Sequence, residues 1–165
     1  MTLAETMLQE LEQEALTTKR VLERVPDDRL GWRPHPKART LGELALHIAT
    51  VPGAVAELSV TTPVQVPQFT DPPLHHASEL LPALDASLAK ARRALGAMSD
   101  ATITASWRLM HGDRELINIP RIAFLRSVML NHWYHHRGQL SVYLRALDVP
   151  IPSIYGPSAD ENPFG

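Results

Sequence analysis

The chain has 165 residues, 44% apolar and 21% charged, with 16 Lys and Arg against 18 Asp and Glu for a formal net charge of −2. This is the make-up of one globular domain able to bury a core, and its charge balance argues against a protein built on phosphate neutralisation. Cysteine is absent, which excludes disulfides, thiolate metal sites and cysteine nucleophiles. No run of about 18 uncharged apolar residues occurs, so no membrane span is expected. The start of the chain does not read as a signal peptide, so a cytoplasmic protein is expected.

The elements are taken in chain order. Residues 1–23 place Leu3, Met7, Leu8, Leu11, Ala15, Val21 and Leu22 at three- and four-residue steps, predicting an amphipathic helix stopped by Pro26. A connector follows, with Trp32 expected in the core. Thr40-Leu-Gly-Glu43 has the capping-box pattern, predicting a second helix from Leu41 that carries His47 two turns in, is kinked or interrupted by Pro52 and ends by about Leu58. The proline-dense stretch 61–76 reads as an ordered surface loop. Ser78 is expected to cap a third helix reaching about Met98. Residues 102–118 read as a short hairpin turning at Gly112. Pro120 opens a fourth helix, Arg121 to Ala146, and the tail 151–165 is expected to be irregular and partly docked. The whole is expected to be a single all-α domain over 1–165, a four-helix bundle with a long crossover and a short hairpin before the last helix.

The chain has eight histidines, three of them at 132, 135 and 136. Positions four apart stack on a helix, so His132 and His136 point the same way, sharing a face with Leu125, Val128, Met129, Gln139 and Tyr143. These mostly apolar neighbours place the pair towards the bundle interior. His135 falls at the margin, Trp133 and Tyr134 on other faces. A pair alone is weak evidence, equally well read as hydrogen-bonded or solvated histidines. His47 changes the balance: it lies on another helix among Leu44, Leu46, Ile48 and Val51, and three histidines converging in a bundle are better explained by a metal. Three imidazoles suit zinc, nickel, copper or iron and leave a position open for water or substrate. The HExxH reading fails because Trp133 stands where the glutamate would be. Glu43 is read first as the capping partner of Thr40 and second as an orienter of His47. Gln139 is read either as touching a substrate or ligand histidine or as a helix–helix hydrogen bond. Gly138 is expected to admit a neighbouring helix, Arg137 to sit in a surface or interface ion pair, and His35, His75, His76 and His111 to be exposed.

The segments Trp32-Arg-Pro-His-Pro-Lys37, Thr40-Leu-Gly-Glu-Leu-Ala-Leu-His-Ile-Ala49, His132-Trp-Tyr-His-His-Arg-Gly-Gln-Leu140 and Tyr155-Gly-Pro-Ser158 resemble, in order and spacing, the DinB/YfiT-like superfamily, which is unrelated to the polymerase sharing the name. The resemblance implies an up-down-down-up four-helix bundle, often a homodimer, holding one divalent metal, zinc or nickel among them. His47 matches the family's ligand on helix two, and His132 and His136 its pair on helix four. It further implies a small-molecule substrate. Characterised relatives are transferases of low-molecular-weight thiols or a thiol-dependent isomerase, and others are grouped as metal-dependent hydrolases. Three functions are therefore weighed: a metal-dependent hydrolase or thiol S-transferase; a non-catalytic metal-binding stress-response module; and, last, DNA binding, which the scattered basic residues do not support.

Overall fold

The computed structural model describes residues 1–68 and 73–165. Residues 69–72 belong to the proline-rich stretch, and that part of the loop expectation lies outside the described residues. The chain is mainly helical with one small sheet.

Helix α1 spans Leu3–Leu22, entered through a capping box in which Thr2 and Glu5 serve each other's backbone N–H. Helix α2 spans Leu41–Val60. All three amides of its first turn are satisfied: Leu41 N–H donates to the Trp32 carbonyl (2.8 Å), Gly42 N–H to the Leu30 carbonyl (2.9 Å) and Glu43 N–H to Thr40 Oγ1 (3.1 Å). The connector is thus folded onto the start of α2. Trp32 is half-buried rather than in the core, with its ring edge-on to Tyr143 at 5.6 Å.

Pro52 lies inside α2 and does not interrupt it. A proline leaves the carbonyl four residues earlier without its helical donor. Here that carbonyl, Ile48, accepts from the Trp133 indole N–H at 2.8 Å. Ser87 covers the next gap, its hydroxyl donating to the Thr50 carbonyl (3.0 Å) and accepting from Gly53 N–H (2.8 Å). Gly53 permits that approach, since a Cβ there would stand 2.5 Å from the Ser87 carbonyl oxygen. The helix therefore runs two residues past the expected end, with its broken ladder mended by two neighbouring helices.

The stretch after α2 contains a two-residue strand, β1 (Val64–Gln65), which the proline density concealed. Helix α3, Leu80–Gly96, is preceded by a 3-10 turn over Ala77–Glu79. Ser78 lies inside that turn and is not the cap; Glu79 reaches back to His76 N–H instead (2.7 Å). A short helix α4, Asp100–Thr104, precedes the hairpin. The expected hairpin is present as β2 (Ser106–His111) and β3 (Arg114–Pro120), antiparallel, with Gly112 at φ 59° in the turn, where glycine carries no steric cost. β1 adds to it in parallel, pairing Val64 with Leu109. Trp107 is fully buried and stacks on Phe124, with ring centroids 3.8 Å apart.

The last rod is continuous but not uniform: α5 (Arg121–Phe124), a π-helical segment (Leu125–Asn131) and α6 (His132–Ala146). α1 packs on α3 and α6, and α2 packs on α3 and on both the π segment and α6, so the four long elements close a ring. This matches the expected four-helix bundle, with a small sheet at its side. Among the described residues one helix, α2, is long and apolar enough to cross a membrane, although Glu43 and Glu57 interrupt it; 67% of that window is buried inside the fold, where it serves as the central core helix.

The π segment corrects the expected face of the last helix. A uniform helix carries the stripe of Leu125 on through Met129 to His132, His136, Gln139 and Tyr143. A π turn adds one residue, so the stripe moves one position later. Leu125 and Met129 are buried as the uniform stripe predicts, but beyond them the buried series passes through Leu130, Trp133, Arg137, Leu140 and Leu144 instead of the histidines, all at 0–1% exposure. Two expectations fall with it. Arg137 is not on the surface, although the ion pair expected of it is present, made with Glu14 between α6 and α1. Gly138 lies on the solvent side, where a Cβ would meet nothing within 4 Å, and admits no helix.

Arg137 is held by a built site. Its guanidinium donates to the Thr18 hydroxyl (3.0 Å), the Glu14 carbonyl (3.1 Å), the Glu14 carboxylate and the Tyr155 hydroxyl. It also lies between the Tyr134 and Tyr155 rings, 5.3 and 5.1 Å from their centroids. Tyr155 belongs to the irregular tail, which is docked as expected: Arg20 pairs with Glu161 and Arg145 with Asp160.

Candidate metal centre

His47 projects from α2 one turn beyond the capping box, and His132 and His136 from the first turns of α6. The shift of stripe leaves the pair at the edge of the core rather than at its centre. All three are half-buried, and their ligand-capable ring nitrogens lie within 4.8 Å of one another. Ring centroids are 5.2 Å apart for His47 and His132, 4.7 Å for His47 and His136, and 4.5 Å for His132 and His136. The structure thus brings together the three residues singled out in the sequence, and it leaves His135 exposed beside them, outside the group.

The donor set fits a divalent ion. His47 Nε2 and His132 Nε2 are 3.2 Å apart. Two nitrogens each ~2.0–2.1 Å from one tetrahedral zinc ion stand about 3.3 Å apart. His136 Nδ1 lies 2.7 Å from Gln139 Oε1. An amide oxygen only accepts, so Nδ1 carries the proton and Nε2 keeps the lone pair a metal requires. Gln139 therefore touches a ring of the cluster from within its own helix, rather than bridging to another helix. The Glu43 carboxylate is taken by Thr40 N–H at 2.7 Å, which settles its role as the cap of α2. Of the other histidines, His35, His75, His76 and His111 are exposed as expected.

The rings favour the neutral form. Burial, then the positive charge of Arg39 and the other two histidines, lower His47 from an ordinary value of 6.5 to about 3. Burial foremost also lowers His132 and His136. At pH 7 all three therefore present lone pairs. For the metal-free protein the sign of the pH dependence follows. The unfolded chain takes up protons at these positions as pH falls through 6.5 and the native state does not, so stability falls on acidification. Urea midpoints of EDTA-treated protein are expected to drop between pH 7 and pH 5, and to drop less steeply in His47→Gln.

A cleft of about 300 Å³ opens beside the cluster, lined by Arg39, His47, Thr50, Val51, Ala54, Val55, Val128 and His132. The wall was written in the spacing: residues 50, 51, 54 and 55 lie three, four, seven and eight positions after His47, and Val128 four before His132. Arg39 had no such signal, since it reaches the cleft from the connector.

The fold and site define a helical-bundle protein whose three-histidine group can hold a metal ion. Over residues 1–162 the chain matches the family model described as the DinB family, and it belongs to that family. It is 27% identical over 164 residues to the uncharacterized protein YrdA of Bacillus subtilis strain 168, covering 93% of this chain and 89% of that one. A solved DinB-like protein from Bacillus cereus ATCC 10987 superposes with a TM-score of 0.69 at 25% identity, over 93% of this chain and 98% of that one. A solved protein from Exiguobacterium sibiricum 255-15 does so at 0.64 and 23% identity, over 97% and 98%, which speaks to the fold alone.

Proposed function

We propose that this protein is a metal-dependent enzyme in which His47, His132 and His136 hold one divalent ion, zinc or nickel foremost. The observation that carries the reading is the cleft. Two of the three imidazoles form part of its wall, whereas a purely structural site is closed by a full set of protein ligands. A bound divalent ion with a free position supplies a lowered pKa to a water or thiol placed there. The chain's own part is to keep three imidazoles neutral, to fix the His136 tautomer through Gln139, and to offer an apolar wall beside the open side.

Two reactions use such a site. In S-transfer, a low-molecular-weight thiol loses its proton to solvent, its sulfur forms a bond to an electrophilic carbon, and the leaving group departs with the bonding pair. In hydrolysis, water adds to a carbonyl or phosphoryl centre and the alcohol or amine leaves protonated. The homodimer expected from the resemblance is part of the proposal and is checked by sedimentation.

The test is elemental analysis of untagged protein, followed by assay of thiol–electrophile pairs and of ester and amide panels. About one equivalent of divalent metal is expected in the native protein, with turnover of one of the two substrate classes, and both are expected to fall to background in His132→Ala. A loaded protein that turns over neither class would leave the metal-binding stress-response module as the better reading. Absence of metal uptake from added zinc or nickel would reject the centre itself.

A further inference from the structure

The cleft beside the histidine cluster has a composition of its own. Its described lining is four small aliphatic side chains, Val51, Ala54, Val55 and Val128, with Thr50 and two imidazoles, and with Arg39 as the charged member. Val51 and Val55 are otherwise core residues of α2, and Val128 belongs to the π segment. Ala54 is different. Between Val51 and Val55, both buried, it is exposed, and it lines this cleft. A leucine or phenylalanine there would extend from an exposed helix position into this space. The smallness of residue 54 is what keeps the cleft open.

The space itself sets a size. At about 300 Å³ it stands at the low end of ligand pockets, which run from roughly 300 to 1,000 Å³. An apolar cavity of roughly 150 Å³ accommodates benzene, so this one takes a body of about six to twelve carbon atoms. An apolar wall recognises apolar surface and little else, since burying a polar group against it without a partner is costly.

We infer that the substrate carries a compact aliphatic or aromatic body of this size, seated on Val51, Ala54, Val55 and Val128, which directs its polar reacting group at the three histidines. The inference rests on the proposed metal-dependent function for the identity of that reacting end. The placement of the body rests on the cleft alone. Ala54 is the specificity-determining position: enlarging it shortens the longest body accepted.

Two measurements test this and keep it separate from the metal reading. The first uses zinc-loaded protein and a series of linear hydroxamic acids from acetyl to octanoyl, with dissociation constants measured by calorimetry. Affinity is expected to rise about threefold to fourfold per added methylene while the chain lies against the wall. In Ala54→Phe the metal content is expected to be unchanged and the octanoyl compound to lose at least tenfold. The second uses metal-free protein and cyclohexanol, followed by the methyl resonances of valine. Those of Val51, Val55 and Val128 are expected to shift, and to stay still in Ala54→Phe.

Binding of acetohydroxamate with no dependence on chain length would overturn the inference and leave the metal centre standing. Valine methyls indifferent to cyclohexanol would overturn it whatever the metal result. Shifted methyls without any hydroxamate binding would uphold the cleft and reject the metal reading on which the reacting end depends.

Discussion

Arg137→Ala is expected to lower the unfolding free energy by about 3–5 kcal/mol, the usual cost of stranding one member of a buried ion pair. The native guanidinium is 1% exposed and its Glu14 partner 13%. Removing it leaves the Glu14 carboxylate and the Thr18 and Tyr155 hydroxyls without their shared donor, and it opens a gap between the two tyrosine rings. Thermal unfolding should show a fall of roughly 6–20 °C for a chain of this size. Because Tyr155 is in the tail, proteolysis after residue 150 should also quicken. The double variant Arg137→Met, Glu14→Gln should recover more than half of the loss, since replacing a whole buried pair is far cheaper than breaking it. A fall under 1 kcal/mol in the single variant would mean that solvent reaches this site and that the network contributes little.

Trp133→Phe tests the repair of α2. It removes the N–H that the Ile48 carbonyl accepts and leaves that carbonyl, already deprived by Pro52, buried without a donor. The expected loss is about 1–3 kcal/mol for the unsatisfied group, with a further cost for the lost ring volume. The diagnostic is a double-mutant cycle with Pro52→Ala. Alanine at 52 restores an N–H to the helix ladder, so Trp133→Phe should cost at least about 1 kcal/mol less in that background. Equal costs in both backgrounds would show that the indole matters only for its bulk. The bond also joins the residue after His47 to the residue after His132. Metal affinity, read by competition with a chelator, should therefore fall about tenfold in Trp133→Phe, as for other partners that orient ligands.

How much could be read in advance depended on whether the cue was local. The capping box at Thr40 and Glu43 is a four-residue pattern with a direct physical cause, and it placed the start of α2, and hence His47, correctly. Gly112 and its flanking apolar residues likewise gave the hairpin. The histidine group followed from spacing on one helix and apolar context on another. What was not legible depended on partners far along the chain. Pro52 looked like a break because Trp133 and Ser87, which supply the missing bonds, lie 85 residues from Ile48 and 34 from Gly53. β1 exists only because the hairpin offers it an edge. Arg137 was legible as an ion-pair residue but not as a buried one, because nothing near it in sequence announces Glu14, Thr18 and Tyr155. The π segment defeated the periodic reading most directly. Its seven residues carry no proline or glycine to mark them, and one unmarked residue is enough to move every later side chain by about 100°.

That added residue has a consequence for how the rod can change over time. It carries two rows of side chains in different registers, one packed into the core and one bearing the histidine group. Leu130, Trp133, Leu140 and Leu144 are locked into the interior, while His132 and His136 stand beside that row without belonging to it. The histidine row can be rewritten while the interior row keeps its shape. A scaffold of this kind tolerates change on a constant frame, and it offers an engineer positions 132 and 136 on α6, and a third at residue 47, where side chains can be exchanged with little repacking of the core.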